Sequence, residues 1–424
     1  MSYKKETQCV QAGYTPGNGE PRVLPIYQST TYKYDSSEHL GKLFDLEADG
    51  HMYSRISNPT VSCVEEKIAA LEGGVGALCT TSGQAANLLA ILNITSSGEN
   101  FVSLSSIYGG TINLFAVTLK RLGIEVRFIT PDMTDEQVEA LFDDKTRLVF
   151  GETIANPALD VLDIEKYAKL AHAHNIPLVV DNTFATPVLC RPFEFGADIV
   201  VHSTTKYMDG QATVVGGVIV DSGNFDWTVD NKFPGLTEPD ESYHGVVYTK
   251  NFGKAAYITK ARVQLMRDFG VLPPAISAFL LNSGLTTLHL RMERHSENAL
   301  KVAKYLENND KVAWVNYPGL ESSKDYALAQ KYLLDGCSGV ISFGVKGGRD
   351  AAVKFMDSLK LAAIVVHVAD ARTCVLHPAS TTHRQLTDEQ LVAAGIGADL
   401  VRMSIGIENV DDIIADIEQA LCQA

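Results

Sequence analysis

The 424-residue sequence predicts an α/β fold, a mostly parallel, doubly wound sheet of seven strands followed by a smaller C-terminal α+β domain. Three observations predict it. Between about residues 76 and 220, short apolar runs alternate with helical stretches. Two of those runs, PLVV and DIVV, end in chemistry-bearing residues, Asp181 and the cluster Ser203-Thr204-Thr205-Lys206. Beyond residue 311 the remaining strand and helix patterns suffice for only a smaller unit, and a chain of this length exceeds one ordinary core.

Taken in order, residues 1–60 are rich in Tyr, Ser, Pro and Gly and weakly periodic, which reads as an extended arm. A core helix then starts cleanly. Asn58 can cap it, Pro59 suits its first turn, Gly73-Gly74 end it, and Val61, Val64, Ile68 and Leu71 form its apolar stripe. The candidate strands are GALCTT, NFVSL, EVRFI, RLVFG, PLVVD, DIVVH and GGVIV. Between two of them, Asp163–Asn175 places Ile164, Tyr167, Ala168 and Ala171 on one helical face. A loop region, 221–250, carries PGLTEPD. A helical stretch, 253–310, is broken by Pro273-Pro274. Strands are expected near Val312–Val315, Val340–Val345, Thr373–Leu376 and Leu400–Ser404, with helices near 350–360 and 411–422. The expected division is an arm at 1–60, an α/β domain at 61–255 and a second domain at 256–424.

Thirty-six Lys and Arg against 51 Asp and Glu give a net charge of −15, which disfavours nucleic acid and anionic membranes as partners. The seven cysteines show no CxxC and no metal-ligand spacing, so free thiols in a reducing compartment are expected and no metal site is. No run approaches a membrane span and the N-terminus lacks the apolar core of a signal peptide, so a cytoplasmic protein is expected.

Both polar strand ends would open on one face of the sheet, where ligands bind. A lysine held there among hydroxyls can form a Schiff base, and an aspartate across from it can keep a pyridinium nitrogen protonated. Lys206 and Asp181 are therefore the pair that pyridoxal phosphate (PLP) chemistry requires of a protein. Thr81-Ser82-Gly83-Gln84 follows a strand and opens a helix, a plausible phosphate cradle to which Ser203 and Thr205 can add hydroxyls. Tyr108, beside Gly109 and Gly110, can lie flat on an aromatic ring. Arg55 in the arm can make a bidentate phosphate contact. Arg402, in the apolar run LVRMS, calls for a carboxylate partner, either a protein Asp or Glu or a substrate.

With these residues assembled, the chain resembles the Cys/Met-metabolism family of PLP-dependent enzymes, which has the aspartate-aminotransferase fold. The motifs that carry the resemblance run in order along nearly the whole chain: YSRISNPT (53–60), YGGTINLF (108–115), RPFEFGADIVVHSTTKY (191–207), FPGLTEPDESYHGVVY (233–248), LRMERHSENA (290–299), LHPASTTHRQL (376–386) and VRMSIGIE (401–408). The resemblance implies that Lys206 carries PLP, that Asp181 pairs with the ring nitrogen and that Tyr108 stacks on the ring and assists proton transfer. It implies phosphate contacts from Gly83, Gln84, Ser203 and Thr205, ring contacts from Asn156 and Thr183, and a substrate-carboxylate clamp in Arg402. Tyr53 and Arg55 would reach the phosphate of a neighbouring subunit, in a homotetramer built as a dimer of dimers with shared sites. The activity implied is γ-replacement, with sulfide or methanethiol displacing acetate from O-acetylhomoserine to give homocysteine or methionine. The alternative is γ-elimination of the methionine- or cystathionine-cleaving kind. Two positions depart from the family pattern: Gln211 stands where relatives often carry histidine, and Gln84 where many carry methionine.

Overall fold

In the computed structural model, which describes residues 3–381 and 397–424, the seven apolar runs form one sheet. Its strands are β1 (Gly76–Thr80), β2 (Asn100–Leu104), β3 (Glu125–Ile129), β4 (Thr146–Glu152), β5 (Leu178–Asp181), β6 (Ile199–His202) and β7 (Gly217–Asp221). Their spatial order is β1-β7-β6-β5-β4-β2-β3. The pairs β2–β3, β2–β4, β4–β5 and β5–β6 are parallel. Strand β7 runs against both its neighbours, β1 and β6, so β1 points the same way as the central strands. All strands except β7 therefore end on one edge. Every residue of β2, β6 and β7 is buried, as a sheet covered on both faces demands. That is why the sequence shows continuous apolar runs rather than alternation.

The first helices in chain order are α1 (Lys5–Gln11) and α2 (Ser37–Phe44) in the arm, then α3 (Pro59–Glu72) and α4 (Gly83–Leu92) on either side of β1. Helix α3 is punctuated as its sequence dictates. The Asn58 side chain accepts from the Thr60 N–H at 3.0 Å, Pro59 sits in the first turn and Gly73 closes the helix at φ +83°. Val61, Val64, Ile68 and Leu71 are buried, each worth about 1.5–3 kcal/mol of transfer from water.

The first sixty residues are not extended throughout. Helix α1 docks on the body of its own chain, with Cys9 fully buried, the Lys67 ammonium donating to the Cys9 carbonyl (3.1 Å) and Lys5 paired with Asp335 (2.5 Å). Seven residues are too few to show a periodicity, and a helix this short forms only because tertiary contacts hold it. The helical stretch after 253 breaks at Gly270–Pro274, as the prolines require, and once more at Thr287, between the helices Ala275–Thr286 and Leu288–Glu307. Within the expected loop, Pro234–Thr237 make one helical turn.

The C-terminal strands are β8 (Val312–Asn316), β9 (Val340–Val345), β10 (Ala363–Ile364), β11 (Cys374–Leu376) and β12 (Leu400–Ser404), in the order β10-β11-β12-β9-β8. Helices Gly348–Ser358 and Val410–Leu421 lie near their expected places. Arg402 on β12 stands in register between Leu376 and Ser342. Positions 382–386 of the LHPASTTHRQL motif lie outside the described residues. Among those described, no helix is long and apolar enough to cross a membrane, and the seven cysteines are free.

Candidate active site

The site grows from the shared edge of the sheet. In the parallel pairing of β4 and β5, Glu152 stands beside Asp181. The Asp181 carboxylate accepts from the Thr183 N–H (3.0 Å) and hydroxyl (2.5 Å). Burial raises the Asp181 pKa, and Thr183, His202 and Asn87 restrain that rise. Burial and the neighbouring Asp181 charge raise the Glu152 pKa well above its ordinary value. Glu152 accepts from the Tyr108 N–H at 2.7 Å, which ties the loop after β2 to the end of β4. Those two strands flank the point where the strand order reverses, where a doubly wound sheet opens a ligand crevice.

The Tyr108 ring is 49% exposed and lies over Gly110, where a Cβ would fall 2.5 Å from the ring. Gly110→Ala is therefore expected to swing Tyr108 off its seat and lower kcat while protein stability changes little. An unaltered kcat with a crystal structure showing Tyr108 in place would refute this.

A second cluster forms at the end of β1. Ser82 caps α4, its hydroxyl accepting from the Ala85 N–H at 3.1 Å. Gly83 approaches Ser203 so closely that a Cβ would lie 2.7 Å from the serine Cβ, so only glycine leaves the helix N-terminus open there. The Ser203 N–H donates to the Thr183 hydroxyl (2.9 Å), which joins this cluster to Asp181. Thr205 exchanges hydrogen bonds with the backbone of Gly216 (3.0 and 3.1 Å). The amides of Gln84 and Asn87 both donate to the Thr111 hydroxyl (3.2 and 3.3 Å), and their own buried oxygens have no partner among the described residues.

Lys206 lies in the turn after β6, with its pKa brought down to about 8 by burial and by Arg402. The turn is held from behind. Arg291, buried in the helix Leu288–Glu307, donates to the carbonyls of Tyr207 (2.6 Å), Met208 (3.4 Å) and Gly284 (2.6 Å). Arg402 is buried and, among the described residues, its guanidinium donates to neutral oxygens, the Asn156 side-chain oxygen at 3.1 Å and the Val366 carbonyl at 3.5 Å. Burial lowers its pKa, and no carboxylate pairs with it among the described residues.

Of the residues singled out from the sequence, the contacts thus join Asp181, Thr183, Ser203 and Gly83, and separately Lys206, Arg402 and Asn156. Tyr53 and Arg55 belong to neither group. Both are exposed, and the guanidinium sits 5.2 Å over the tyrosine ring. Gln211 is exposed on the loop after Lys206. Glu152 escaped the sequence reading although it ends RLVFGE just as Asp181 ends PLVVD. Asn87 and Thr111 carry no local signal, since only the fold brings them to the site.

A lysine of depressed pKa, a half-buried aspartate and an open helix N-terminus at one sheet edge define an enzyme that works with pyridoxal phosphate, on the aspartate-aminotransferase fold. The cofactor fits the residues present: at the N-terminus of α4 a Cβ on residue 83 would crowd Ser203, and the neighbouring Gln84 side-chain oxygen is buried without a partner among the described residues. The family model described as "Cys/Met metabolism PLP-dependent enzyme" matches residues 6–422, and the chain belongs to that family. It is 49% identical to homocysteine synthase of Schizosaccharomyces pombe, over 98% of this chain and 97% of that one. It is 46% identical to O-acetyl-L-homoserine sulfhydrylase of Leptospira meyeri, over 99% and 97%. A crystal structure of a candidate O-acetylhomoserine (thiol)-lyase from Campylobacter jejuni, which carries N'-pyridoxyl-lysine-5'-monophosphate, superposes with a TM-score of 0.95 at 37% identity, covering 99% of this chain and all of the other.

Were the cofactor joined at Lys206, covalent loading would need its neutral amine. Apoprotein should therefore take up pyridoxal phosphate faster as pH rises toward about 8 and level off above it. A stopped-flow absorbance profile still climbing at pH 10 would contradict the depressed pKa.

Proposed function

We propose that this enzyme catalyses γ-replacement on O-acetylhomoserine, with sulfide or methanethiol displacing acetate to give homocysteine or methionine. The observation that carries the reading is Arg402. A buried cation without a carboxylate is costly, and the seat beside Lys206 is completed by the α-carboxylate of an amino-acid substrate. The names of the relatives supply the acyl ester and the sulfur nucleophile.

Bound in this cleft, pyridoxal phosphate supplies the electron sink that acidifies the α- and then the β-hydrogen of the amino acid. Gly83, Gln84, Ser203 and Thr205 hold its phosphate, while Thr183 and Asn156 line its ring. Asp181, held by the Thr183 N–H and hydroxyl, keeps the ring nitrogen protonated. Arg402 grips the substrate carboxylate and so fixes which Cα–H bond faces Lys206. The Lys206 amine, neutral in a large fraction near pH 8, takes the α-proton and then a β-proton, and returns them after sulfur has entered at Cγ. Tyr108 stacks on the ring and passes protons at its hydroxyl. Residues 61–255 form the cofactor domain and 256–424 the second domain.

Given O-acetylhomoserine and sulfide, the enzyme should yield homocysteine and acetate in equal amounts. Without sulfide, 2-oxobutyrate should appear more slowly, and methionine should be a poor substrate. Rapid 2-oxobutyrate and methanethiol from methionine, with little homocysteine from the ester, would establish the eliminating alternative. Gly110 argues against that alternative: the resemblance implies a cysteine at this position in methionine-cleaving enzymes, and here a Cβ would lie 2.5 Å from the Tyr108 ring.

Tyr53 and Arg55, exposed and outside their own chain's site, reach the phosphate of a neighbouring subunit, in a cytoplasmic homotetramer with shared sites. Mixing inactive Arg55→Ala with inactive Lys206→Ala subunits should restore part of the activity, since one hybrid site holds both native residues. Failure to recover activity after mass spectrometry has verified subunit exchange would count against shared sites.

A further inference from the structure

The segment Leu361–Arg372 lies against the site and carries a histidine that none of the sequence motifs contains. It is pinned at several points. Ala363 and Ile364 pair with Cys374 and Val375 of β11. The Val366 carbonyl accepts from Arg402 (3.5 Å), and the His367 carbonyl accepts from the Cys374 thiol (3.5 Å). The Ala369 N–H donates to the Ser404 hydroxyl (2.8 Å). On the other side, the Ala371 N–H donates to the Gly210 carbonyl (2.9 Å) and Arg372 to the Gln211 carbonyl (3.4 Å), both in the loop after Lys206. A segment fixed between the arginine strand and the lysine loop has little freedom, and the His367 side chain is placed by it. Its Nε2 is buried and has no hydrogen-bond partner among the described residues. Buried ring nitrogens normally have partners, and an unpaired one beside a binding site marks a place for a ligand atom. The charged groups facing the ring are Lys206, Arg372, Asp370 and Asp209. Burial and Lys206 outweigh the two aspartates, so the imidazole is held below its ordinary pKa and is neutral at pH 7.

We propose that His367 takes the proton of the incoming sulfur nucleophile. This inference rests on the γ-replacement reading above. The S–H bond of hydrogen sulfide or a thiol breaks and an N–H bond forms at Nε2. The sulfur electron pair forms the C–S bond at the carbon that acetate left with its own pair. The imidazolium then gives its proton to water, so that ester and hydrogen sulfide become thiol, acetate and one proton, with no change of oxidation state.

The test uses holoenzyme carrying His367→Asn or His367→Ala, with the cofactor absorbance reporting that the site is assembled. Homocysteine and 2-oxobutyrate are measured together from O-acetylhomoserine and sulfide between pH 6 and 9. General-base removal typically costs about 10²–10⁴-fold. At pH 6 the ratio of homocysteine to 2-oxobutyrate should fall at least about 10²-fold. The deficit should shrink as pH rises, because the nucleophile then arrives already ionised. An unchanged ratio, or an equal loss of both products at every pH, overturns the assignment. If wild-type enzyme makes neither product from O-acetylhomoserine, the γ-replacement reading fails and this inference falls with it.

Discussion

Lys206→Ala is expected to lower turnover about 10⁴-fold or more while the cleft still binds pyridoxal phosphate without a covalent link. The size reflects what is removed: the amine that anchors the cofactor and the base that moves two protons, each step resting on one nitrogen. The fold should survive, because the turn around residue 206 is held by backbone contacts. Arg291 grips the carbonyls of Tyr207 and Met208, and Ser203 is tied to Thr183. Borohydride should fix the cofactor to the wild-type chain at Lys206 and leave the variant unlabelled on peptide mapping. A variant that is labelled elsewhere and turns over normally would remove Lys206 from the centre of the chemistry.

Arg402→Ala should be nearly as damaging, by another route. Losing a buried, charge-assisted contact to a carboxylate costs about 2–5 kcal/mol, which is about 30- to 5,000-fold in kcat/KM. The loss should appear mainly in KM, with cofactor content unchanged. Because Arg402 also helps bring the Lys206 pKa down, the same variant should shift the pH dependence of cofactor loading upward. Normal kinetics would make Arg402 a structural cation satisfied by Asn156 and Val366 alone.

The large sheet was legible because a covered parallel strand must be apolar on both faces, so GALCT, NFVSL and IVVH announce themselves without context. The chemistry at strand ends was legible for a related reason, since a charged residue closing an apolar run needs an explanation. Asp181 and Lys206 were singled out by that rule, and Glu152 would have yielded to it. The unread remainder depends on distant partners. Helix α1 exists only through contacts with residues such as Val188 and Asp335. The two-residue β10 has no pattern to read. His367 looks like any loop histidine until β12 and the loop after Lys206 are seen to close around it.

The grip of Arg291 on the turn behind Lys206 bears on how this protein can be taken apart. Lys206 lies in the first half of the chain, yet the backbone just after it is held by a guanidinium some eighty positions downstream. A truncation ending at the close of the large sheet would keep every strand of that sheet and still leave two carbonyls unclaimed beneath the lysine. Fragment complementation, circular permutation or domain grafting in this scaffold must therefore carry the helix Leu288–Glu307 with the lysine turn, as one indivisible module.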